Sequence, residues 1–221
     1  MEKCATDRGR RKRPHHGASR LALCGLALLV ACAAPKPQGP LLLHPVPPAA
    51  DNYALVQGAI VFTGPEFVVS ARPWDYRLVA QEFARSGEAS PFGKGEEATG
   101  RFLFLRVRLE NRSSRALVFN PMRAELLPEG KAPLVPLENS DLAIFMGEDL
   151  IGSEARAKAF RRTSFDLTAT VRPGETLERY LVFPAPEEAP KVMTLTLDEL
   201  WLGSTSFDLR FGFEAYPGAA R

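Results

Sequence analysis

The sequence predicts a mainly β protein: a β-sandwich of about nine or ten strands with a short helical insertion. Three observations support this fold class. Residues 101–110 alternate apolar and polar side chains with a period of two, as in a sheet with one face in water. Arg172-Pro173-Gly174-Glu175 has the residues of a type II turn. Glycine and proline separate most of the remaining apolar runs into short segments.

The first 31 residues have the three parts of a secretory signal peptide. Six arginines and lysines lie between residues 8 and 20, residues 21–30 are largely apolar, and small residues follow. The apolar run is too short for a permanent transmembrane helix, which needs about 20 residues. We therefore predict that residues 1–31 are removed.

Leu29-Val30-Ala31-Cys32 resembles the lipobox of bacterial lipoproteins. The resemblance implies cleavage after Ala31, diacylglycerol on the thiol of Cys32, and a further acyl chain such as palmitate on the new amino terminus. Ala33, rather than aspartate, follows the cysteine, which by the same resemblance favours transit to the outer membrane, facing the periplasm or the cell surface. The alternative is an ordinary secretory signal cut at an A-x-A-like site, leaving Cys32 unmodified.

Composition limits the function classes. The leader carries 7 of the 28 basic and 2 of the 26 acidic residues, so the remaining 190 residues have a net charge near −3. This balance argues against a nucleic-acid partner, which favours a clustered basic surface. Cys32 is the only cysteine after cleavage, so no intramolecular disulfide is expected and the hydrophobic core must stabilise the fold.

The mature chain divides into a spacer and one domain. Residues 32–52 contain six prolines and are predicted to be the lipidated terminus and an extended spacer. Residues 53–217 are predicted to be the sandwich, and a helical insert is expected near residues 139–163. The predicted strands are 55–62, 67–71, 76–83, 101–110, 115–119, 122–127, 165–171, 177–183, 193–197 and 207–213. The strand at 177–183 is apolar on both faces, which predicts a central, well-covered position.

Two segments resemble immunoglobulin-like domains of a largely uncharacterised family of bacterial envelope lipoproteins. One is the long strand at 102–112 running into Asn111-Arg112-Ser113-Ser114, and the other is Arg172-Pro173-Gly174-Glu175-Thr176 followed by Tyr180-Leu181-Val182-Phe183-Pro184. The resemblance implies an immunoglobulin-like sandwich and supplies no functional residues. The helical insert departs from the simplest members.

Most catalytic chemistries lack their residues. His44, in the spacer, is the only histidine after cleavage, so a histidine-assisted nucleophile is not expected, and neither is a metal site of several His or Cys ligands. No phosphate-binding or dinucleotide-binding glycine motif is present. The paired carboxylates, such as Asp198-Glu199, are adjacent in sequence and point to opposite faces of a strand. We therefore predict no catalytic residue, no cofactor and no metal.

The candidate contact residues are aromatic or apolar. Trp74 and Tyr76, after Pro73, could form a stacking platform for a glycan or peptide, and Trp201 is a similar candidate. Phe145 and Met146 belong to the apolar positions of the insert, which need cover from the domain's own sheet or from a partner. The alternative for the aromatic residues is packing in the core.

Three functional hypotheses follow. The first is a non-enzymatic, lipid-anchored protein of the cell envelope that contacts membrane lipid through Cys32 and binds an envelope protein partner or forms a structural part of an assembly. The second is a periplasmic module that binds a glycan or peptide. The third is a hydrolase that works with carboxylates alone, which would need two carboxyl groups facing each other across a cleft.

Overall fold

The computed structural model describes residues 40–87, 90–92, 100–146 and 154–218. These residues form two antiparallel sheets, which confirms the predicted mainly β sandwich. Three helices cover part of one sheet. The predicted leader and Cys32 lie outside the described residues.

Eleven strands and three α-helices occur within the described residues. The strands are Leu41–Val46 (β1), Tyr53–Val56 (β2), Ala59–Thr63 (β3), Phe67–Trp74 (β4), Phe102–Asn111 (β5), Leu117–Phe119 (β6), Ala124–Pro128 (β7), Ala169–Val171 (β8), Thr176–Pro184 (β9), Val192–Leu202 (β10) and Thr205–Pro217 (β11). The helices are Tyr76–Ser86 (α1), Asn139–Met146 (α2) and Glu154–Thr163 (α3). The insert predicted near 139–163 is therefore helical where it is described.

The sheets have different strand orders. The six-stranded sheet runs β1-β11-β10-β6-β8, and β7 pairs with β10 beside β6. The five-stranded sheet runs β2-β3-β4-β5-β9. Between the sheets lies the main core, to which β5 contributes Leu103, Leu105, Val107 and Leu109, the alternation that the sequence predicts.

A second apolar cluster lies on the outer face of the five-stranded sheet, beneath the helices. Phe102 and Phe104 of β5 and Val182 of β9 are buried there with Phe160 of α3. This cluster explains why residues 180–183 are apolar on both faces. The predicted central position of the segment is wrong, because β9 is the last strand of its sheet. Residues 180–183 are nevertheless buried, between the main core and the helices.

The strand predicted at 76–83 is also wrong, because this segment forms α1. Asp75 caps the helix, its carboxylate accepting a hydrogen bond from the Arg77 amide at 2.8 Å. Gly87 ends it in the left-handed conformation, with φ of 71°. The buried residues Tyr76, Val79 and Phe83 are spaced by three and four positions, a helical period that places them on one face.

The spacer is shorter than predicted. Leu41–Val46, within the predicted 32–52 spacer, forms β1 and pairs with β11 in register from Leu41 opposite Pro217 to Val46 opposite Gly212. Leu41 and Leu43 pack against the main core. The sandwich therefore begins at Leu41, because pairing with β11 supplies backbone partners that a proline-rich segment cannot provide for itself.

Smaller differences concern strand ends. Met122 lies in a 3-10 turn, Pro121–Arg123, before β7, and the strand predicted at 165–171 is restricted to β8. Asp198 and Glu199 lie at a register shift in β10, where Glu199 has a φ of 56°. The turn at 172–175 is confirmed, because the Glu175 amide donates to the Arg172 carbonyl at 3.0 Å and Gly174 has a φ of 76°.

Candidate binding groove

A groove of about 230 Å³ opens at one end of the sandwich. Its walls come from the start of β1, the end of β4, the first turn of α1, the start of β5 and the end of β11. Trp74 and Tyr76 both line it, so the structure brings the two predicted aromatic residues together. This volume is below the roughly 300–1,000 Å³ typical of small-molecule pockets.

Trp74 lies half-buried between cationic side chains. The guanidinium carbon of Arg72 is 4.6 Å from the centre of the Trp74 ring, and that of Arg106 is 5.0 Å from it. Such cation–π contacts contribute about 0.5–2 kcal/mol each. The indole nitrogen of Trp74 is buried and has no hydrogen-bond partner among the described residues. Its neighbours thus hold the ring in place, and its indole N–H has no acceptor in the part of the chain that the structure describes.

Tyr76 is more deeply placed than a stacking platform would be. It is 9% exposed, belongs to the second apolar cluster, and its ring centre is 6.2 Å from that of Phe104. Burial raises the pKa of its hydroxyl above the usual value near 10. Tyr76 therefore forms the floor of the groove and packs the core at the same time.

An ionic network lies beside the groove, where α1 crosses the sheet. Arg106 bonds Glu178 through Nε and Oε1 at 3.1 Å and contacts Glu82 of α1 at 3.6 Å. The Tyr180 hydroxyl donates a hydrogen bond to Glu82. Burial, followed by this hydrogen bond, raises the pKa of Tyr180. The network joins α1 to the sheet. Glu82 and Glu178 both contact Arg106 at the surface. This arrangement differs from the two carboxyl groups facing each other across a cleft that the hydrolase hypothesis needs.

The helical insert has a buried side and an exposed side. Leu142 of α2 and Phe160 of α3 are buried in the second cluster. Ile144 of α2 is 79% exposed, and Leu167, just beyond α3, is 71% exposed. The side chains of Phe145 and Met146, the predicted contact residues of the insert, lie outside the described part of the chain.

Trp201, the other tryptophan, lies far from the groove. It is 39% exposed and pairs with Ser206, at the start of β11. Tyr216, which lines the groove, is ten residues further along the same strand, about 33 Å at the usual strand rise. The two tryptophans therefore mark opposite ends of the sandwich.

Two features are absent from the described residues. No group of three or more His, Cys, Asp or Glu side chains there has an arrangement that could hold a metal ion. Among the helices described, none combines the length and the apolar character needed to cross a membrane.

One residue of the second cluster was not predicted. Phe92 lies outside the predicted strands and the predicted helical insert, yet it is fully buried. Its ring centre is 4.8 Å from that of Phe104, 5.9 Å from that of Phe160 and 6.1 Å from that of Phe83. The isolated Pro91-Phe92 pair carries no periodicity, so the sequence offered no signal beyond an aromatic residue within a polar stretch.

Comparisons with known proteins do not assign a family. No protein-family model matches the chain, and no curated protein matches it. The crystal structure of the yjhA protein from Bacillus subtilis aligns with 68% of this chain and 93% of that chain, with 11% identity and a TM-score of 0.38. A likeness this distant supports no inference about function.

Proposed function

We propose that this chain is a non-enzymatic lipoprotein of the bacterial envelope, anchored through acylated Cys32, which acts by binding an envelope protein partner. The observation that carries the proposal is the Leu29-Val30-Ala31-Cys32 motif at the end of a basic and apolar leader. Several acyl chains anchor a protein stably, because each buried CH₂ contributes about 0.8 kcal/mol. By its resemblance to lipoproteins, Ala33 after the cysteine favours the outer membrane.

The anchor is tested by fractionation. Cells producing the native chain and Cys32→Ser are separated into membrane and soluble fractions, and Cys24→Ser serves as the matched control. We expect Cys32→Ser to leave the membrane fraction or to accumulate with its leader uncleaved, and Cys24→Ser to behave as the native chain. Unchanged processing and membrane association of Cys32→Ser would contradict the proposal.

The exposed side of the helical insert supports a protein partner. Ile144 projects an apolar side chain from α2 while its neighbour Leu142 is buried beneath. A cluster of large exposed apolar side chains is typical of an interaction surface, whereas a single one is common on any protein. Ile144 therefore marks the position that a position-specific experiment can probe.

That experiment is photocrosslinking in intact cells. A photoreactive amino acid replaces Ile144 in one variant and Leu55 in the control. Leu55 is 49% exposed on β2, at the other edge of the five-stranded sheet from β9. We expect a discrete adduct from position 144 alone. Adducts of the same size from both positions, or from neither, would contradict a partner at the insert.

A second candidate function is the binding of a glycan or peptide in the groove. The observation in its favour is that Trp74 and Tyr76 line one concave site. Trp74→Ala is expected to abolish binding to immobilised envelope glycan or peptide, with Trp201→Ala as the control at the opposite end. Equal binding by the two variants would exclude the groove as that ligand's site.

A further inference from the structure

The groove lies where the chain enters the domain. Pro40, Leu41 and Leu42 line it, and the Gly218 amide donates to the Pro40 carbonyl at 2.6 Å. Cys32 precedes Leu41 by nine residues, which span at most about 30 Å when fully extended. If Cys32 is acylated, as proposed above, this end of the domain stays close to the bilayer.

Apolar side chains surround the opening. Leu78 of α1 is 43% exposed and Tyr216 of β11 is 46% exposed, and both line the groove with Leu42. Trp and Tyr side chains favour the membrane interface, because their rings combine an apolar body with a polar group. This rim therefore has the composition of a surface that rests at the headgroup level.

The same end carries positive charge that is unpaired within the described part of the chain. Arg72 lies against Trp74, and the exposed residues Arg77 and Arg101 directly adjoin groove-lining residues in the sequence. None of the three forms an ion pair with another described residue. Asp75, a carboxylate that lines the groove, caps α1. The mature chain is acidic overall, so these three arginines are a local feature of the described residues.

We propose that the groove rim docks on an anionic phospholipid surface, with Leu42, Leu78 and Tyr216 at the headgroup level and Arg72, Arg77 and Arg101 facing lipid phosphates. This inference rests on the proposed acyl anchor and deepens it. Guanidinium groups match phosphate oxygens in geometry and charge. The groove's small volume favours a docked surface over an enclosed ligand. The anchor brings the domain to the membrane, and the rim determines which end faces it.

The two tryptophans allow a direct test. The acylated protein is purified from membranes and reconstituted into phosphatidylcholine vesicles with or without phosphatidylglycerol, each containing a headgroup-level lipid quencher. Trp201→Phe leaves Trp74 as the reporter at the groove, and Trp74→Phe leaves Trp201 as the matched control. We expect the quencher to reduce Trp74 emission much more than Trp201 emission, and phosphatidylglycerol to increase that difference. Equal quenching of both tryptophans would overturn the proposal.

Charge variants test the arginines. In the Trp201→Phe background, Arg77→Gln with Arg101→Gln is expected to weaken docking about 25-fold, since each basic residue near an anionic surface contributes about fivefold. Arg172→Gln, at the distant turn, is the control and should leave quenching unchanged. The proposal would be overturned if Trp74 quenching were the same with and without the two arginine substitutions. It would also be overturned if quenching rose with protein density on the vesicle and not with phosphatidylglycerol content, a result that would identify a second copy as the occupant.

Failure of the anchor is measured separately. The mass of the purified protein reports acylation at Cys32 and vesicle flotation reports tethering, and neither depends on Trp74. An acylated, floating protein with equally quenched tryptophans contradicts rim docking alone. A protein without acyl groups contradicts the anchor, and quenching by anionic vesicles still decides the docking.

Discussion

Replacing Asn111 by alanine should destabilise the domain more than any exposed change of the same size. Asn111 is 1% exposed at the end of β5. Its side-chain amide donates to the carbonyls of Arg115 at 2.6 Å and Val171 at 2.9 Å, and its oxygen accepts from the Ser113 amide at 3.0 Å. Asn111 thus connects β5 of one sheet to β8 of the other.

The magnitude follows from the groups left without a partner. Alanine would leave buried or partly buried polar groups without a hydrogen-bond partner, and each buried group left so costs about 1–3 kcal/mol. We expect a loss near 4 kcal/mol, a large part of the roughly 5–15 kcal/mol typical of a domain. For a domain of this size the melting temperature should fall by about 8–16 °C.

Thermal unfolding of the mature chain carrying Cys32→Ser measures this loss. The control is Asn120→Ala, because Asn120 is half-buried and its side chain accepts one hydrogen bond, from Met122 at 3.1 Å. We expect this control to cost no more than about 1 kcal/mol. If Asn111→Ala and Asn120→Ala melted within 2–3 °C of each other, the reasoning about buried partners would be refuted.

Burial and the hydrogen bond to Glu82 raise the pKa of the Tyr180 hydroxyl. The stability that the neutral hydroxyl contributes is therefore fully present below about pH 10 and is lost as the pH rises beyond that value. Tyr180→Phe should make the melting temperature fall less steeply above pH 10, and an unchanged slope would contradict this. A Cβ at Gly212 would lie 2.8 Å from the Val46 carbonyl oxygen, so Gly212→Ala should cost about 1–3 kcal/mol and speed hydrogen exchange in β1; unchanged exchange would argue against the β1–β11 pairing. Phe92→Ala should cost about 3–5 kcal/mol in urea unfolding, whereas a loss under about 1 kcal/mol would mean that the ring is not buried.

The sequence predicted the features that repeat locally. Alternation over 101–110 identified β5 and its core face. Pro173-Gly174 identified a turn, because the positive φ at its third position strains residues other than glycine. The helical insert was predicted because its apolar residues recur at helical spacing. These signals come from neighbours in the chain, so no knowledge of the tertiary structure was needed.

One error passed over local signals, and the other arose where a distant contact decides the structure. The aromatic and branched residues of 76–83 suit a strand, but the cap residues Asp75 and Gly87 and the helical spacing of the buried residues indicate the helix α1. Leu41–Val46 resembles a spacer until β11 supplies its pairing partner. For the groove, the sequence identified Trp74 and Tyr76, whereas Leu78 and Tyr216 come from elements that meet only in the fold.

Mass spectrometry of the amino-terminal peptide from native membranes measures the proposed anchor itself. We expect the chain to begin at Cys32, with diacylglycerol on the thiol and an acyl group on the amine. An unmodified Cys32 thiol, or a chain still carrying residues 1–31, would contradict it.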